Sequence, residues 1–212
     1  MKVLSLDLST TATGWATFED KKLLDYGVIK PKVPGLTKMT YPEGALRKCL
    51  SIAEQIHELW LQEKPNIIII EEINRGKNRL GQKTLDGLHF IVLDALDELG
   101  AINQIYFIDS DGATGWRSKS KLNLTHSEKQ KAYNKRTKLQ NKKIKAENKK
   151  RPRGSKIALE KEISRKTLAC EKANKLFRLQ LDDWERTTDG DIADAILVGY
   201  AFIVFDMPDK ID

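Results

Sequence analysis

The alternation of hydrophobic and polar positions divides the chain into strands and helices in a definite order. Apolar runs rich in β-favouring residues predict strands over 2–8, 15–18, 23–29, 67–70 and 104–108. Apolar residues three and four apart predict helices over 41–62, 83–99, 157–181 and 189–205. Consecutive short strands pair antiparallel, whereas strands linked through a helix pair in parallel. The order predicts an α/β fold, a mixed five-stranded sheet flanked by helices, in one domain of 212 residues.

One segment departs from this pattern. Residues 126–150 are strong helix formers with almost no apolar stripe, so we expect a helix that is exposed or ordered only on nucleic acid. Residues 117–166 hold 19 Lys and Arg against 4 Asp and Glu, a charge of +15, while the rest of the chain has 18 against 26, or −8. Such a block favours a polyanion, because lysines that neutralise phosphates release counterions.

We interpret residues 117–164 as a basic helical insertion that binds DNA. The alternative is a solvated arm that only keeps the protein soluble. Trp116, at its start, is predicted to fill the core rather than to stack on an unpaired base, although stacking is the alternative.

Four acidic residues stand where structure alone rarely places a carboxylate. Asp7 interrupts the first apolar strand, although aspartate is depleted in strands and an unpaired buried charge is costly. Glu71 ends the fourth predicted strand. Asp191 and Asp194 are three apart, so they share one face near the start of the last helix.

Each acid also has an ordinary explanation. Asp7 could cap a turn at the strand end, and Glu71 could be a surface acid. Asp191 could be a first-turn acid favoured by the helix dipole, behind an N-cap at Thr188, and Asp194 alone is weaker still. The combination in this order, rather than any single residue, points to one site.

Hydrolysis of a phosphodiester gives a reason for such a cluster. Two Mg²⁺ ions about 4 Å apart can activate the attacking water and stabilise the leaving oxygen. Mg²⁺ prefers oxygen ligands, which carboxylates supply, and we expect that Mn²⁺ could substitute.

Three segments resemble, in order, the motifs of RuvC-type Holliday junction resolvases, especially the phage-encoded branch. They are LDLSTTATGW at 6–15, IIEEI at 69–73 and DIADA at 191–195, and the resemblance covers residues 1–109 and about 166–205. It implies an RNase H-like fold, a homodimer, Mg²⁺ dependence and paired nicks across a four-way DNA junction.

The resemblance also assigns roles. The catalytic and metal-binding acids are Asp7, Glu71, Asp191 and Asp194, and Lys166 is a basic catalytic residue near the scissile phosphate. Motif alignment favours Glu71 over Glu72, and only one of two adjacent strand residues can face the metals.

The loop after Glu71 departs from the family pattern. Cellular RuvC proteins often carry an aromatic residue three positions after this glutamate, where this chain has Asn74. Phosphate contacts position a protein without reading sequence, so we expect branched DNA in general as substrate. The predicted DNA-binding residues are Asn74, Arg75, Lys77, Asn78, Arg79, Lys83, Arg117, Lys119 and Lys121.

Two other functions fit part of the pattern. An ATP-binding phosphotransferase of the actin or sugar-kinase type shares the first motif, but it needs a longer, duplicated chain and a later Gly-rich loop, neither of which is visible here. A non-catalytic DNA-binding protein with the same fold would be marked by loss of the carboxylates.

The remaining features set the compartment. Cys49 and Cys170 have no metal-binding spacing, and no stretch approaches the roughly 18 apolar residues of a membrane span. The N-terminal apolar run is interrupted by Asp7 and does not fit a signal peptide. We therefore expect a cytoplasmic protein with no membrane partner, in the host cytoplasm if it is encoded by a phage.

Overall fold

A computed structural model describes residues 1–72, 79–110, 115–118, 122, 124–152, 154–184 and 186–206. The described strands are β1 (Lys2–Asp7), β2 (Thr13–Glu19), β3 (Lys22–Ile29), β4 (Ile67–Glu71) and β5 (Ile105–Ile108). The α-helices in the same ranges are α1 (Glu43–Glu63), α2 (Arg79–Asp97), α3 (Glu128–Asn148), α4 (Arg165–Phe177) and α5 (Asp189–Ala201). A π-helical turn, Phe202–Asp206, continues α5.

The five strands form one mixed sheet in the order β3-β2-β1-β4-β5. The hairpin strands β1, β2 and β3 pair antiparallel, and the helix-linked pairs β1/β4 and β4/β5 are parallel. The predicted α/β architecture is therefore confirmed. The central position of β1 follows from its apolar residues, because both of its faces are covered.

Each face of the sheet carries its own hydrophobic core. Val3 and Phe18 pack with α4, α5 and Trp116 on one face, whereas Leu4 and Leu6 pack with α1 and α2 on the other. Side chains alternate between the faces of a strand. Asp7 therefore shares the face of Val3, which is the side covered by α5.

The central helix α5 lies very close to the sheet. The Ser5 hydroxyl, buried in β1, donates a hydrogen bond to the Ala195 carbonyl at 2.8 Å. A Cβ atom built on Gly199 would lie 2.5 Å from the Phe18 ring and 2.7 Å from the Ser5 Oγ. The missing side chain at this glycine therefore permits the close approach.

The predicted helix over 157–181 is wrong in its first third. Residues 156–164 are extended, and α4 begins only at Arg165. Ser164 starts it with a capping box, since its hydroxyl accepts from the Thr167 N–H while the Thr167 hydroxyl accepts from the Ser164 N–H. The backbone groups of 157–163 are engaged by α3 instead of by a helix, a pairing that helix propensity cannot reveal.

Other boundaries move by a few residues. The helix expected over 83–99 starts earlier, at Arg79, and β2 is longer than predicted. Trp116 is fully buried among the residues of α4, α5 and the sheet, so the predicted core role is correct. Among the described helices, none is both long and apolar enough to cross a bilayer.

Adding a methyl group at Gly199 should destabilise the fold. In Gly199→Ala the new Cβ must displace Phe18 or Ser5, and overpacking of this kind costs about 1–3 kcal/mol. Gly154→Ala is the control, because Gly154 is exposed and a Cβ there meets nothing within 4 Å. Urea denaturation measures both, and equal unfolding midpoints would contradict the close packing of α5.

Candidate active site

Two acidic side chains meet where neighbouring parallel strands end. Asp7 is the last residue of β1 and Glu71 the last of β4, and the two strands pair with Leu6 opposite Ile70. Both acids therefore stand at the same level and point towards α5. Glu72 is exposed, so the alternation of the strand selects Glu71.

The first turns of α5 bring two more carboxylates to the same edge. Asp191 and Asp194 are 8% and 2% exposed, although surface helices usually turn acids towards water. The backbone of α5 is in very close contact with the backbone of β2 at this point, since a Cβ built on Gly14 would be 2.0 Å from the Asp191 carbonyl oxygen. Gly14 pairs with Asp7 across the hairpin. Because Gly14 has no side chain, the backbone of α5 can come close enough to bring its acids to the ends of β1 and β4.

An arginine lies among the carboxylates. Arg117 donates two hydrogen bonds to Asp194, Nη1 to Oδ1 at 3.3 Å and Nη2 to Oδ2 at 3.0 Å, and its Nη2 lies 3.8 Å from Glu71 Oε2. The neighbouring Trp116 donates its indole N–H to Glu71 Oε2 at 3.2 Å, and the guanidinium lies 4.2 Å from the Trp116 ring centre. Trp116 therefore does more than fill the core.

The chain following β5 delivers this Trp-Arg pair. The N–H groups of Trp116 and Arg117 donate to the carbonyls of Asp109 and Ser110, at 2.8 and 3.2 Å. Glu71 is paired with Ile108 at the end of β5. The one sequence feature that points to this arrangement is that Trp116 and Arg117 follow β5, the strand that ends beside Glu71. It was insufficient to predict that Arg117 turns inward.

Lys166 supplies a second cation. Its ammonium group forms an ion pair with Asp191 Oδ1. A Cβ on Gly190 would lie 2.7 Å from the Lys166 stem, so the close contact of α4 with α5 holds the lysine over Asp191. The extended backbone before α4 ends two residues earlier, at the Ser164 cap.

The cluster is electrostatically strained. Burial raises the pKa of Asp7 well above its usual range, and the nearby Glu71 and Asp194 raise it further. Burial also raises the pKa values of Glu71 and Asp194, against the lowering effect of Arg117. Burial by itself would lower the pKa of Arg117, but Asp194 and Glu71 raise it. Lys166 likewise has a raised pKa, because Asp191 outweighs the effect of burial.

The donor set fits a hard divalent cation. In the described part of the chain, no three acidic, histidine or cysteine side chains are arranged to hold a metal as they stand. Instead, Arg117 and Lys166 pair with three of the four acids, and no described group donates a hydrogen bond to the Asp7 carboxylate. A partly buried carboxylate beside three others calls for a further positive charge, and oxygen ligands are those that Mg²⁺ prefers.

The predicted DNA-binding residues fall into three groups. Arg79 and Lys83 are exposed at the start of α2, on the chain that follows Glu71. Arg117 lies in the acid cluster rather than on the surface. The remaining predicted residues, Asn74, Arg75, Lys77, Asn78, Lys119 and Lys121, lie outside the described part of the chain.

Comparisons with known proteins identify the architecture. No protein-family profile and no curated protein sequence matches this chain. Two structures of Thermus thermophilus RuvC, one in complex with a Holliday junction substrate, match with a TM-score of 0.52. They are 13% and 14% identical, and each match covers 95% of this chain and 92% of the other. The chain has a RuvC-type, RNase H-like fold.

A more distant match is the yeast mitochondrial Holliday junction resolvase Ydc2. It is 15% identical with a TM-score of 0.44, over 95% of this chain and 78% of that one. At 13% and 14% identity, the two RuvC structures show the fold alone, because one fold can host unrelated chemistries.

Neutralising Asp7 should stabilise the metal-free protein. A folded pKa above the unfolded value means that the native state binds more protons, so stability is lost as pH rises above the usual value of an aspartate. At neutral pH, Asp7→Asn should therefore be more stable than the parent, because the amide carries no charge to desolvate and is not repelled by Glu71 and Asp194. Near pH 4 the gain should shrink. Urea denaturation in EDTA measures this, and an Asp7→Asn variant less stable than the parent at neutral pH would show a structural role.

Proposed function

We propose that this chain is a divalent-metal-dependent endonuclease that cleaves branched DNA, including Holliday junctions, by phosphodiester hydrolysis. The proposal rests chiefly on the Asp7 carboxylate. No described group donates a hydrogen bond to it, and three other acids lie close enough to affect its pKa. Such a costly charge cluster is typical of a functional site, and a bound cation would offset its charge. The RuvC-type fold places the cluster at the carboxyl ends of parallel strands, where α/β sheets commonly bind ligands.

Asp7, Glu71, Asp191 and Asp194 would hold the metal, with Mg²⁺ expected, up to two ions and Mn²⁺ as a substitute. When bound, such cations activate a water for attack and stabilise the oxygen that leaves the phosphorus. The acids come from two strand ends and one helix, and this rigid framework keeps them in position without the substrate.

The two cations of the site suit the substrate. An arginine fork binds a phosphate through two hydrogen bonds, as Arg117 now binds Asp194. The same fork would suit the scissile phosphate of a bound substrate. Lys166, held over Asp191 by the α4–α5 contact, is placed to stabilise charge that develops on the phosphate oxygens.

The resolvase fold and the charge distribution favour branched DNA. One of the Thermus thermophilus RuvC structures is a complex with a Holliday junction substrate. This chain shares the fold of that protein over nearly the full length of both chains. Arg79 and Lys83, exposed beside the chain that leaves Glu71, are suited to phosphate contacts. A non-catalytic DNA-binding protein would have no use for four clustered carboxylates, two of them under a tenth exposed.

Asp7→Asn should abolish cleavage while leaving DNA binding nearly unchanged. The substitution keeps the shape of the side chain but removes the charge from the centre of the acid cluster. We expect the nicking rate to fall by about 100-fold or more, the effect of losing an element of a catalytic unit. The measurement is cleavage of synthetic four-way junctions, forks and linear duplexes with Mg²⁺, with nick positions mapped on each strand.

The matched control is Asp189→Asn. Asp189 is buried in the first turn of α5, and its carboxylate accepts a hydrogen bond from the backbone N–H of Asp182 at 2.7 Å. It should retain cleavage. Cleavage by the parent in EDTA, or full activity of Asp7→Asn, would contradict metal-dependent hydrolysis. Tight ATP binding without any nicking would instead support the phosphotransferase alternative.

We also propose that the enzyme acts as a homodimer through α2, since cutting two strands of a junction needs two active sites. Phe90, on the solvent side of α2, is 73% exposed, and Gly87 one turn earlier leaves open space for a close partner. The adjoining α1–α2 layer exposes more apolar surface at Leu46, Leu50 and Leu80. Aromatic side chains such as Phe90 are enriched at protein interfaces.

Phe90→Ser should weaken the dimer. Burying a phenylalanine contributes about 1.5–3 kcal/mol, and a symmetric interface loses it twice. We therefore expect the mass from light scattering to fall to that of a monomer at micromolar concentration, with paired cuts lost before single nicks. Leu139→Ser, which removes a 59% exposed apolar side chain from α3, should leave the mass unchanged. A parent that is monomeric on junction DNA would contradict this part of the proposal.

A further inference from the structure

Three asparagines of α3 bind an extended segment of the chain through paired hydrogen bonds. Asn134, Asn141 and Asn148 each use both atoms of the side-chain amide. In each pair, Nδ2 donates to a backbone carbonyl and Oδ1 accepts from the N–H of the same residue. The partners are Ile163, Glu160 and Ile157, and all six distances are 2.8 Å.

The spacing of these pairs explains why they can form together. Asparagines seven apart lie on one face of a helix and about 10.5 Å from each other along its axis. Three residues of extended chain span about 10 Å. The partners are three apart in reverse order, so every seventh residue of the helix meets every third residue of a non-helical segment that runs antiparallel to it. We call α3 together with residues 156–163 the asparagine-bound arm.

Further contacts reinforce the same pairing. The Tyr133 hydroxyl donates to the Lys161 carbonyl at 3.2 Å, and His126 Nε2 lies 2.9 Å from the Ile163 carbonyl. Thr137, between the first two asparagines, is fully buried. The arm is thus ordered without an apolar stripe, because amide pairs replace hydrophobic packing along the inner face of α3.

The other faces of α3 are strongly basic. Between 128 and 151 the chain has eleven lysines and arginines and two glutamates. All eleven cations are exposed: Lys129, Lys131, Lys135, Arg136, Lys138, Lys142, Lys143, Lys145, Lys149, Lys150 and Arg151. The described ion pairs in this stretch engage only Lys131, Lys138 and Arg151. The surface offers many positive charges and few acids, as a phosphate backbone requires.

The arm is joined rigidly to the acid cluster. Ile163, bound by Asn134, precedes the Ser164 cap of α4, and Ser164 donates to Asp183 at 2.9 Å. Lys161 donates to the carbonyls of Asp183 and Trp184 at 2.6 and 2.5 Å. Lys166 lies in the first turn of α4, three residues after Ile163. From Asn134 to Asn148 the helix then extends about 21 Å.

We propose that the asparagine-bound arm is a preordered second contact surface for duplex DNA, which holds one arm of the branched substrate at a set position relative to the acid cluster. Asn134, Asn141 and Asn148 are its positioning residues. The inference rests on the proposed function for the nature of the substrate. A surface that is already ordered binds without the entropy cost of folding on its partner, and only such a surface can define where the bound duplex lies.

The test removes the amide pairs without changing any charge. The variant N134A/N141A/N148A keeps all eleven cations and should keep the helix, because alanine is the best helix former. We expect faster amide hydrogen exchange at 157–163. We also expect about tenfold weaker binding to a fluorescent four-way junction in EDTA, with scattered nick positions when Mg²⁺ is added. The salt dependence of binding to a linear duplex should stay the same, because it reports the number of phosphates neutralised.

A single pair of variants provides the matched control. Asn141→Ala removes one amide pair, whereas Gln140→Ala removes an amide from the exposed neighbouring position of the same turn. Asn141→Ala should show part of the effect of the triple variant and Gln140→Ala none. If the triple variant folds poorly, this pair still decides the question.

Three results would overturn the inference. Faster exchange at 157–163 with unchanged junction affinity and unchanged nick positions would show that the ordered arm does not position DNA. Unchanged exchange would show that the asparagines do not order it. Preference of the parent for an RNA duplex of the same sequence would overturn DNA as the partner. If the parent nicks no branched DNA but the binding results hold, the proposed function fails while the contact surface stands.

Discussion

The structure depends on the concentration of negative charge at one edge of the sheet. When all four are ionised, the carboxylates carry four negative charges into a site where Asp194 is almost fully buried, and Arg117 and Lys166 supply two positive charges. The difference of two negative charges is the charge that one divalent cation neutralises. Like charges held together at low dielectric are unstable unless another charge offsets them, so the site has a reason to bind metal before any substrate is considered.

Other features of the fold serve this cluster. The alternation of the strands turns Asp7 and Glu71 to the side of α5, and the two glycines at positions 14 and 199 let α5 approach the sheet closely enough to add its own acids. Trp116 fills the core and also bonds Glu71, so core packing fixes the carboxylate directly. Stability and chemistry are thus coupled through the same contacts, and changes in the core of the α5 layer will disturb the site.

The sequence was informative where one local rule decides the outcome. Period-two alternation and apolar runs were enough for the order of strands, and a carboxylate such as Asp7 in an apolar strand pointed to a site. The sequence offered no local signal where segments far apart in the chain satisfy each other's charges and hydrogen bonds. Nothing local shows that Arg117 turns into the acids, or that residues 156–163 leave helical geometry to pair with α3. Asn134, Asn141 and Asn148 stand seven apart in the sequence, but only their hydrogen-bond partners in residues 157–163 give that spacing a meaning.

The distribution of charge raises the question of how a polyanion reaches an acidic site. Residues outside 117–166 carry a net charge of −8, so the body that holds the carboxylates repels a phosphate backbone at long range. A flexible basic tail would draw DNA near but would let it bind in any orientation. A basic helix bound to the chain that enters α4 attracts the duplex and limits its path as well. Since α4 also carries Lys166, the element that orients the DNA and the cation beside the acids belong to one rigid unit, and polar pairing rather than a hydrophobic stripe keeps that unit ordered while its outer faces stay free for phosphate.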